Sequence, residues 1–531
     1  MQKHKLFAPK ITLSWLHFVL LSAFFFTCMN FNFFIQIYQN LDSDSSLALK
    51  LSFPVIYFAL AISVLSAPPP LTLFLKINLY KILLIPLIWI SCLSAYFMFF
   101  YGVIIDRDMI DNVLKTDTQE VFDLLSPSLL IFIFLFGILP TLLIIKTHII
   151  YPKTLKWRFL LPLLTFLGGL VFAVGIFYSQ SQTLIPFFRN HIFLRVYETP
   201  TRQIYSAVLC VKQSLPQKEF EEIAKDATLR QDSKRKLMVF VLGETARAAN
   251  YSLGGYSIND TNIYTKEKSI AYFDNFYSCG TSTAISVPCM FSDLSKENFS
   301  KSAHYRENAL DILQKVGVNV IWLGNNSGGC QGVCKNLEKV KSLKSPYDEN
   351  LLLEVSEQLK SLKEQNLIIV HLQGSHGPLY YQRYPDAFKR FLPTCDTNEL
   401  QKCSQEELRN TYDNTILYTD FIVKSLIDML EEIPEYETSL IYLSDHGESL
   451  GENGIYLHGM PYFIAPKEQI HIPFIFFSSN PALMQIAQSR KSLPLSQDNI
   501  FSTLLGYFGV ESDVYQVRDD LLNIDSKEGE S

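Results

Sequence analysis

Charged residues are scarce in this chain of 531 residues: they make up 18% of it, whereas hydrophobic residues make up 48%. The net charge is only −6, and no basic stripe stands outside the loops that flank the apolar runs, so no nucleic-acid partner is expected. The sequence also lacks internal repeats and low-complexity tracts. Its length predicts two or three domains rather than one.

The apolar excess lies in the first third of the chain, which predicts a membrane domain at 1–180. Five runs reach or approach the roughly 20 residues that are needed to cross a bilayer. They lie near 11–33, 48–67, 82–103, 128–146 and 157–178. The first run is too long for a cleaved signal peptide and lacks a small-residue cleavage site.

Lysine and arginine predict the orientation of the five spans. They precede the first span and lie between the second and third spans and between the fourth and fifth. The alternate loops hold no basic residue (34–47) or only Arg107 and Lys115 (104–127). By the positive-inside rule the N terminus is cytoplasmic, and an odd number of crossings then places the chain after residue 180 outside.

The outer loop at 104–127 carries Asn112, Thr116 and Glu120, which are four residues apart and share one face if the loop is helical. A carboxylate and two hydrogen-bonding groups there could hold an ammonium headgroup; the alternative is a solvated amphipathic turn.

Residues 181–236 are predicted to link two domains, and their aromatic and basic beginning is typical of an interfacial segment.

From 237 to 531 the pattern changes to short β-rich runs separated by helical stretches. The predicted strands are 237–242, 318–323, 367–372, 439–444 and 470–477, and the predicted helices are 305–316, 348–365 and 407–432. This alternation predicts an α/β domain with a largely parallel sheet. Ligands of such sheets gather at the carboxyl ends of the strands.

Three of the predicted strands end in residues that can bind metal ions. The residues are Glu244 after the first strand, His371 and His376 around "HLQGSHGP", and Asp445, His446 and His458 within "SDHGESLGENGIYLHG". A single such ending would be explained by a cap or a turn, but three on one edge indicate a metal site. Carboxylates and imidazoles suit Zn²⁺ or Mn²⁺ and leave a coordination position open.

Six of the nine cysteines form close pairs in the outer domain. The pairs are Cys279/Cys289, Cys330/Cys334 and Cys395/Cys403. An oxidising compartment would let each pair close as a disulfide. A metal cluster is the competing interpretation, but no adjacent Cys/His pattern resembles a zinc ribbon, so bridges are favoured.

The stretch "SCGTSTAISVPCMF" at 278–291 places several hydroxyl side chains between two cysteines. It is either a polar loop closed by a bridge or the carrier of a nucleophile. Thr281 and Thr283 are equal candidates for that nucleophile by local chemistry. The residues after them read as a short helix, whose N terminus favours negative charge.

The five-span N-terminal region, "GETARA", "CGTSTAISVPCMFS", "GSHGP" and "SDHGESLGENGIYLHG" together resemble the bacterial phosphoethanolamine transferases. That family includes the lipid A modifying enzymes and the mobile colistin-resistance enzymes. The resemblance covers nearly the whole chain and implies a helical transmembrane domain followed by an alkaline phosphatase-like (sulfatase) α/β domain. It also implies transfer of phosphoethanolamine from phosphatidylethanolamine through a phosphothreonine-type intermediate.

The resemblance assigns metal and catalytic roles by position. The zinc ligands of the family match Glu244, Thr283, Asp445 and His446, and the nucleophile matches Thr283. His376 and His458 match histidines that contact the phosphoryl group or a second metal. One tightly bound Zn²⁺ is therefore expected, and His376 and His458 are the candidate ligands of a second ion if they do not contact the phosphoryl group instead.

The resemblance also assigns a headgroup site. Its residues match Asn112, Thr116, Glu120 and Ser327, which favours the binding interpretation of the outer loop. One segment departs from the family pattern N-x-S-G-C-K-G-V-C: the chain reads "NNSGGCQGVC", with an added glycine and with Gln331 where a lysine is expected. Phosphate binding or acceptor choice could therefore differ, and Lys335 could substitute for the missing charge.

The location and partners follow from the same resemblance. It implies a monomeric, multi-pass protein of the bacterial inner membrane, with its catalytic domain in the periplasm. The donor would be phosphatidylethanolamine and the expected acceptor is lipid A of lipopolysaccharide, although core sugars and envelope proteins are also compatible. Added ammonium groups would lower the negative surface charge and weaken the binding of cationic peptides such as polymyxin.

Three rival functions differ in what they require. A sulfatase needs an oxidisable Cys or Ser in a C-x-P-x-R setting, and none is present; Cys289 is followed by Met290. A phosphoglycerol transferase of the same superfamily also uses a metal-bound threonine and is the closer alternative. The third is a membrane-anchored binding protein without catalysis, against which the complete ligand set speaks.

Overall fold

The computed structural model of the protein describes residues 11–67, 79–115, 118–214, 220–230, 234–299 and 305–523. The chain forms two compact units. The membrane unit extends to Asp106 and includes Ser126–Val208, and the α/β unit comprises Arg107–Leu125 and the chain from Leu209 onward. The domain boundaries predicted at 180/181 and 236/237 stay predictions; the compact units divide at 208/209 and assign the loop 107–125 to the α/β unit.

Apolar helices make up most of the membrane unit. In chain order the elements up to residue 214 are β1 (Ile11–Ser14), α1 (Trp15–Met29), α2 (Phe31–Gln39), α3 (Leu47–Ser66), α4 (Leu79–Phe100), α5 (Arg107–Lys115), α6 (Thr118–Asp123), α7 (Pro127–Lys146), β2 (Thr147–Ile150), α8 (Leu155–Ser179), α9 (Ser181–Asn190) and α10 (Thr201–Ser214). Within the described ranges, α3, α4, α7 and α8 are long and apolar enough to cross a membrane, and the bent pair α1–α2 adds a fifth span if counted as one.

The first predicted span differs from a straight helix in two ways. Residues 11–14, predicted to be helical, form a strand that pairs in parallel with β2. Their Ile-Thr-Leu-Ser alternation suits a strand, and the Ser14 hydroxyl accepts a hydrogen bond from His17 N–H, so the helix begins at Trp15. The helix then bends by 49° at Asn30.

The bend at Asn30 is held by hydrogen bonds to a distant segment. Its amide nitrogen donates to the carbonyl oxygens of Phe26 at 2.9 Å and Thr199 at 2.6 Å, and its amide oxygen accepts from Thr199 N–H at 2.9 Å. Because the side chain of Asn30 engages backbone groups in place of the regular helix ladder, α1 and α2 meet at an angle.

The α/β unit is built on a seven-stranded sheet with the order β5-β13-β10-β4-β9-β7-β8. Its elements are β3 (Thr228–Leu229), β4 (Lys236–Gly243), β5 (Ala271–Phe273), β6 (Phe276–Tyr277), α11 (Thr283–Met290), α12 (Ala309–Lys315), β7 (Asn319–Gly324), β8 (Lys339–Ser342), α13 (Glu349–Gln358), β9 (Gln365–His371), α14 (Gln405–Glu431), β10 (Glu437–Ser444), β11 (Ser449–Leu450), β12 (Tyr456–Leu457), α15 (Lys467–Ile470), β13 (Phe474–Ser478), α16 (Pro481–Arg490), β14 (Leu495–Ser496), α17 (Ile500–Phe508) and β15 (Val510–Glu511).

The pairings confirm the predicted, largely parallel sheet. Strands β10, β4, β9, β7 and β8 pair in parallel, and β13 is antiparallel to both of its neighbours. The central strands β4 and β9 are buried on both faces, which explains their uninterrupted apolar runs. All five predicted strands exist, although the last begins at Phe474 rather than at 470.

The predicted helices exist with changed ends because capping residues determine where helices begin. Asn308 caps α12, which is therefore shorter than the predicted 305–316. Ser404 and Glu407 form a capping box, so α14 begins at Gln405. The predicted helix 348–365 ends at Gln358 as α13, followed by a short 3₁₀ turn.

Candidate active site

Two neighbouring strand ends bring three candidate ligands together. In the parallel pairing of β4 and β10, Gly243 lies opposite Ser444, so Glu244 and Asp445 leave the sheet side by side. One ligand atom from each of Glu244, Asp445 and His446 lies within 4.8 Å of the others. The side chains of all three are buried. This carboxyl edge of the sheet is where the sequence predicted the metal site.

Thr283 joins this cluster as the first residue of α11. Its hydroxyl oxygen lies 3.3 Å from both carboxylate oxygens of Glu244 and 3.4 Å from Nε2 of His446. The hydroxyl of Thr281 instead donates to the carbonyl oxygen of Met460 at 2.7 Å. The structure therefore brings Thr283 to the cluster and engages Thr281 elsewhere, a distinction that local chemistry left open.

The cluster has the properties of a cation site. Oδ2 of Asp445 is buried without a hydrogen-bond partner among the described residues, and Nε2 of His446 lies 3.3 Å from it. Nδ1 of His446 lies 2.9 Å from the carbonyl oxygen of Gly447, which can only accept, so Nε2 is left to face the carboxylates. Two carboxylates, an imidazole and a hydroxyl form a donor set that fits Zn²⁺.

The pKa values at the cluster agree with a site built for a cation. Burial lowers the pKa of His446 to about 4, so its imidazole is neutral, as a metal ligand must be. Burial and the neighbouring charge of Asp445 raise the pKa of Glu244 well above its ordinary value. Two buried carboxylates without a compensating charge are costly, and a divalent cation would offset that cost.

His376 and His458 lie beside the cluster. Their ring centroids are 5.8 Å apart, and the His458 ring lies 4.4 Å from that of His446. Nδ1 of His458 is 2.8 Å from Oε2 of Glu448, whose other oxygen accepts a hydrogen bond from Tyr380. Burial alone would lower the pKa of His458, but the charge of Glu448 and the hydrogen bond to it outweigh burial and raise that pKa.

Part of the predicted headgroup site also reaches the cluster. The hydroxyl of Ser327 donates to Oε1 of Glu120, and the same oxygen lies 3.8 Å from Nε2 of His376. Asn112 is half-buried in α5, and Thr116 lies outside the described residues. The structure therefore places Glu120 and Ser327 next to one of the two predicted catalytic histidines.

Gln331 stands where the family resemblance expects a lysine. Its backbone φ is +50°, its amide nitrogen donates to the carbonyl oxygen of Gly328 at 2.8 Å, and its amide oxygen is buried without a partner among the described residues. Lys335 is exposed on the same loop. Gln331 thus contacts Gly328, the residue that follows Ser327, but it brings no charge there.

The three cysteine pairs are disulfides. The structure links Cys279 to Cys289, Cys330 to Cys334 and Cys395 to Cys403. Asp498 lies beside the first bridge, but bridged sulfurs offer no thiolate to a metal ion. Among the described residues, the group of Glu244, Asp445 and His446 is therefore the one suited to a metal, and the second ion expected near His376 and His458 stays a prediction.

Sequence reasoning passed over two residues that hold the site in place. Asn326 donates to Oε2 of Glu244 at 2.8 Å, and Glu448 holds His458. Asn326 lies in "NNSGGC" directly before the candidate Ser327, and Glu448 lies in "SDHGES" two residues after the candidate His446. This closeness in the sequence could have indicated both residues. His371, by contrast, is fully buried against the Trp322 ring and does not join the metal group.

Comparisons with known proteins agree with this architecture. A family model described as Sulfatase matches residues 236–510, and one described as Phosphoethanolamine transferase EptA/EptB matches residues 69–215. Phosphoethanolamine transferase EptA of Escherichia coli (strain K12) is 39% identical over 98% of this chain and 98% of its own length. Phosphatidylethanolamine transferase Mcr-1 of Escherichia coli is 36% identical over 93% of this chain and 94% of its own.

Two solved structures extend the comparison to three dimensions. The integral membrane protein lipooligosaccharide phosphoethanolamine transferase A (EptA) from Neisseria meningitidis matches 96% of this chain and 99% of its own with a TM-score of 0.89 and 32% identity. The C-terminal periplasmic domain of phosphoethanolamine transferase EptC from Campylobacter jejuni is 59% identical and covers 59% of this chain and 100% of its own, with a TM-score of 0.57.

A helical membrane unit joined to a sulfatase-type α/β unit defines the class as the membrane-bound enzymes of the alkaline phosphatase superfamily. Within that class, the 39% sequence identity to Escherichia coli EptA, which extends over nearly the whole chain, shows the family. The chain belongs to the phosphoethanolamine transferases.

Proposed function

We propose that this protein transfers phosphoethanolamine from phosphatidylethanolamine to lipid A, with Thr283 as the nucleophile and with Zn²⁺ held by Glu244, Asp445 and His446. The observation that carries the proposal is the position of the Thr283 hydroxyl, 3.3 Å from both Glu244 oxygens and 3.4 Å from His446. The names of the relatives EptA and Mcr-1 support the donor group.

Zn²⁺, when bound, would lower the pKa of the Thr283 hydroxyl and reduce the negative charge of the phosphoryl oxygens. Thr283 lies at the N terminus of α11, where backbone N–H groups favour an oxygen that bears negative charge. Asn326 donates a hydrogen bond to Glu244 and so holds this proposed zinc ligand beside Thr283, the proposed nucleophile.

The reaction would proceed in two displacements. In the first, Thr283 gives up its hydroxyl proton and its oxygen forms a bond to the donor phosphorus while the bond to the diacylglycerol oxygen breaks; that oxygen takes up a proton and leaves as diacylglycerol. In the second, an acceptor oxygen gives up any proton it carries and bonds to the same phosphorus while the Thr283 bond breaks, and the Thr283 oxygen takes up a proton. Phosphoryl transfer relies mainly on positioning and electrostatics, which this buried cluster offers.

His376 and His458 are the candidate proton carriers and phosphoryl contacts. Because Glu448 raises the pKa of His458, that imidazole can hold the proton that the leaving diacylglycerol oxygen needs. Burial and the charge of Arg383 lower the pKa of His376 well below its ordinary value, which favours the neutral form. His376 is therefore better suited to accept a hydrogen bond or to hold a second Zn²⁺.

The donor headgroup would bind where Glu120 and Ser327 meet. Glu120 brings a carboxylate to within 3.8 Å of His376, and an ammonium group of the donor would be attracted to it. Asn112 and Thr116 would complete this site as the family resemblance implies. The uncharged Gln331 would leave phosphate binding to the metal and to the neighbouring hydrogen-bond donors.

The proposed location is the bacterial inner membrane, with the N terminus in the cytoplasm and the α/β unit in the periplasm. The protein is proposed to act as a monomer. The positive-inside distribution of lysine and arginine supports this orientation, and three disulfides suit an oxidising compartment. Lipid A at the outer surface would carry added ammonium groups, which lowers its attraction for cationic peptides such as polymyxin.

The decisive experiment follows the covalent intermediate. The purified protein with Zn²⁺ is incubated with phosphatidylethanolamine and no acceptor, and peptides that contain Thr283 are analysed by mass spectrometry. A phosphoethanolamine increment on Thr283, with release of diacylglycerol, is expected. A phosphoglycerol increment from phosphatidylglycerol would favour the rival transferase, and no adduct with either lipid would contradict both. Lipid A spectra from cells with and without the gene then test the acceptor.

A further inference from the structure

The segment Arg107–Leu125 lies between the apolar helices α4 and α7 in the chain, yet it belongs to the α/β unit. Helix α5 packs against α11, the helix that begins at Thr283. The Met109 side chain packs against Gly459, the residue after His458. Helix α6 brings Glu120 to Ser327 and His376. The position of this segment therefore decides whether Glu120 is part of the site.

Two residues of the α/β unit hold the C-terminal end of α6. Arg383 places a guanidinium nitrogen 2.7 Å from Oδ2 of Asp123, and these side chains are only 11% and 6% exposed. The amide nitrogen of Asn398 donates to the carbonyl oxygens of Asp123 at 2.9 Å and Leu125 at 2.8 Å. Carbonyl groups at a helix end lack partners within the helix, so an amide donor there satisfies and fixes them.

The same guanidinium reaches the histidine segment. Nε of Arg383 donates to the carbonyl oxygen of His376 at 2.8 Å. Glu120 and Asp123 are three residues apart on α6 and lie on adjacent turns of one face. One arginine thus links the helix that carries Glu120 to the backbone of a residue beside the metal cluster.

We infer that Arg383 and Asn398 are positioning residues that dock α6 on the rest of the α/β unit and so set the place of Glu120 in the donor site. The inference deepens the proposed function, because it takes Glu120 as a headgroup ligand. Neither residue touches the reacting atoms. Asn398 lies in the loop closed by the Cys395–Cys403 bridge, so that disulfide limits the freedom of the docking amide.

The burial of the Arg383–Asp123 pair distinguishes it from an ordinary ion pair at the protein surface. Removing one partner of a buried ion pair leaves the other charge buried and unpaired, so a single substitution costs far more there than in an exposed pair. An exposed comparison lies on the same stretch of chain: Lys389 pairs with Asp396 at 3.2 Å, with side chains 32% and 52% exposed. Lys389→Gln is therefore a matched control for Arg383→Gln.

The first test is independent of catalysis. Hydrogen exchange of the full chain in detergent with Zn²⁺ is followed by mass spectrometry for peptides that cover 118–125. Arg383→Gln and the near-isosteric Asn398→Asp should each speed exchange there by roughly tenfold or more, while peptides of β4 and β10 stay protected. Lys389→Gln should leave the 118–125 peptides unchanged. Unchanged exchange in both docking variants would overturn the inference.

The second test separates positioning from chemistry. Asp123→Asn, which keeps the Arg383 guanidinium beside His376, should raise KM for phosphatidylethanolamine and lower kcat/KM by roughly 10- to 100-fold, with a much smaller loss of kcat at saturating donor. Arg383→Gln should raise KM in the same way, but it also removes a charge beside His376, so the separation of KM from kcat is judged on Asp123→Asn. The double variant should be no worse than the more affected single variant, because the contact that Asp123→Asn weakens is already lost in Arg383→Gln. Additive losses, or losses in kcat alone, would overturn the docking role.

The two proposals fail in different ways. If the unchanged protein does not transfer phosphoethanolamine, the proposed function is wrong, while exchange at 118–125 still decides whether Arg383 and Asn398 dock α6. If transfer occurs and the variants neither loosen 118–125 nor raise KM, the proposed function stands and the docking inference is wrong.

Discussion

The hydroxyl oxygen of Thr283 lies 3.3 Å from both carboxylate oxygens of Glu244. Thr281, two residues earlier, directs its hydroxyl to the carbonyl oxygen of Met460. If Thr283 is the nucleophile, Thr283→Ala should lower transfer by at least about 10⁴-fold, because the covalent route is lost. Thr281→Val should lower transfer far less, since it removes one hydrogen bond. Release of labelled diacylglycerol measures both; equal losses would contradict the assignment.

Metal removal should affect both stability and activity. A chelator should abolish transfer, and Zn²⁺ should restore it. Because Zn²⁺ would bind the folded chain, free Zn²⁺ at 100 times its Kd should add about 2.7 kcal/mol to the free energy of unfolding. Glu244→Gln should reduce the bound zinc that elemental analysis detects. Asp498→Asn, beside the bridged Cys279, is the control and should leave the zinc content unchanged.

Glu448 should matter through His458 rather than through the metal. Its carboxylate lies 2.8 Å from Nδ1 of His458, and both side chains are largely buried. Glu448→Gln removes the charge while preserving shape, and it should lower kcat by roughly 10- to 100-fold without a loss of bound zinc. Glu452→Gln, which breaks a nearby ion pair to Arg247, should have a smaller effect. Zinc loss in Glu448→Gln would contradict this separation.

Gln331→Lys tests the departure from the family pattern. A lysine there could still donate to the carbonyl oxygen of Gly328, as Gln331 does at 2.8 Å, and it would add a positive charge near Ser327. The stronger attraction for phosphate should raise kcat/KM about fivefold, the worth of roughly 1 kcal/mol. Steady-state kinetics with phosphatidylethanolamine measures this.

The paired variant Lys335→Gln shows whether the exposed Lys335 already supplies that charge. If it does, Lys335→Gln should lower kcat/KM, and Gln331→Lys should restore it. If Lys335→Gln has no effect and Gln331→Lys still raises kcat/KM, the charge is missing in this protein. No change in either variant would show that a cation at this loop does not contribute to phosphate binding.

Local pattern was enough to predict much of this protein. Apolar runs predicted α3, α4, α7 and α8 because burial in lipid demands long stretches without charge. Alternation of β-rich and helical runs predicted the parallel sheet, whose carboxyl edge places Glu244 beside Asp445. The strand at 11–14 and the bend at Asn30 escaped prediction, since a hydropathy run does not report pairing with β2 or hydrogen bonds to Thr199.

The sequence by itself determined the membrane and α/β organisation, the strand ends that carry the candidate ligands, and the close cysteine pairs, because each depends on residues near one another in the chain. The tertiary structure alone decided which threonine faces Glu244 and which residues support the site. It also decided that Asp123 at the end of α6 pairs with Arg383, which lies 260 residues further along the chain. Hydrophobic periodicity records whether a side chain is buried but not which distant partner buries it, and such long-range pairing is what completes this site.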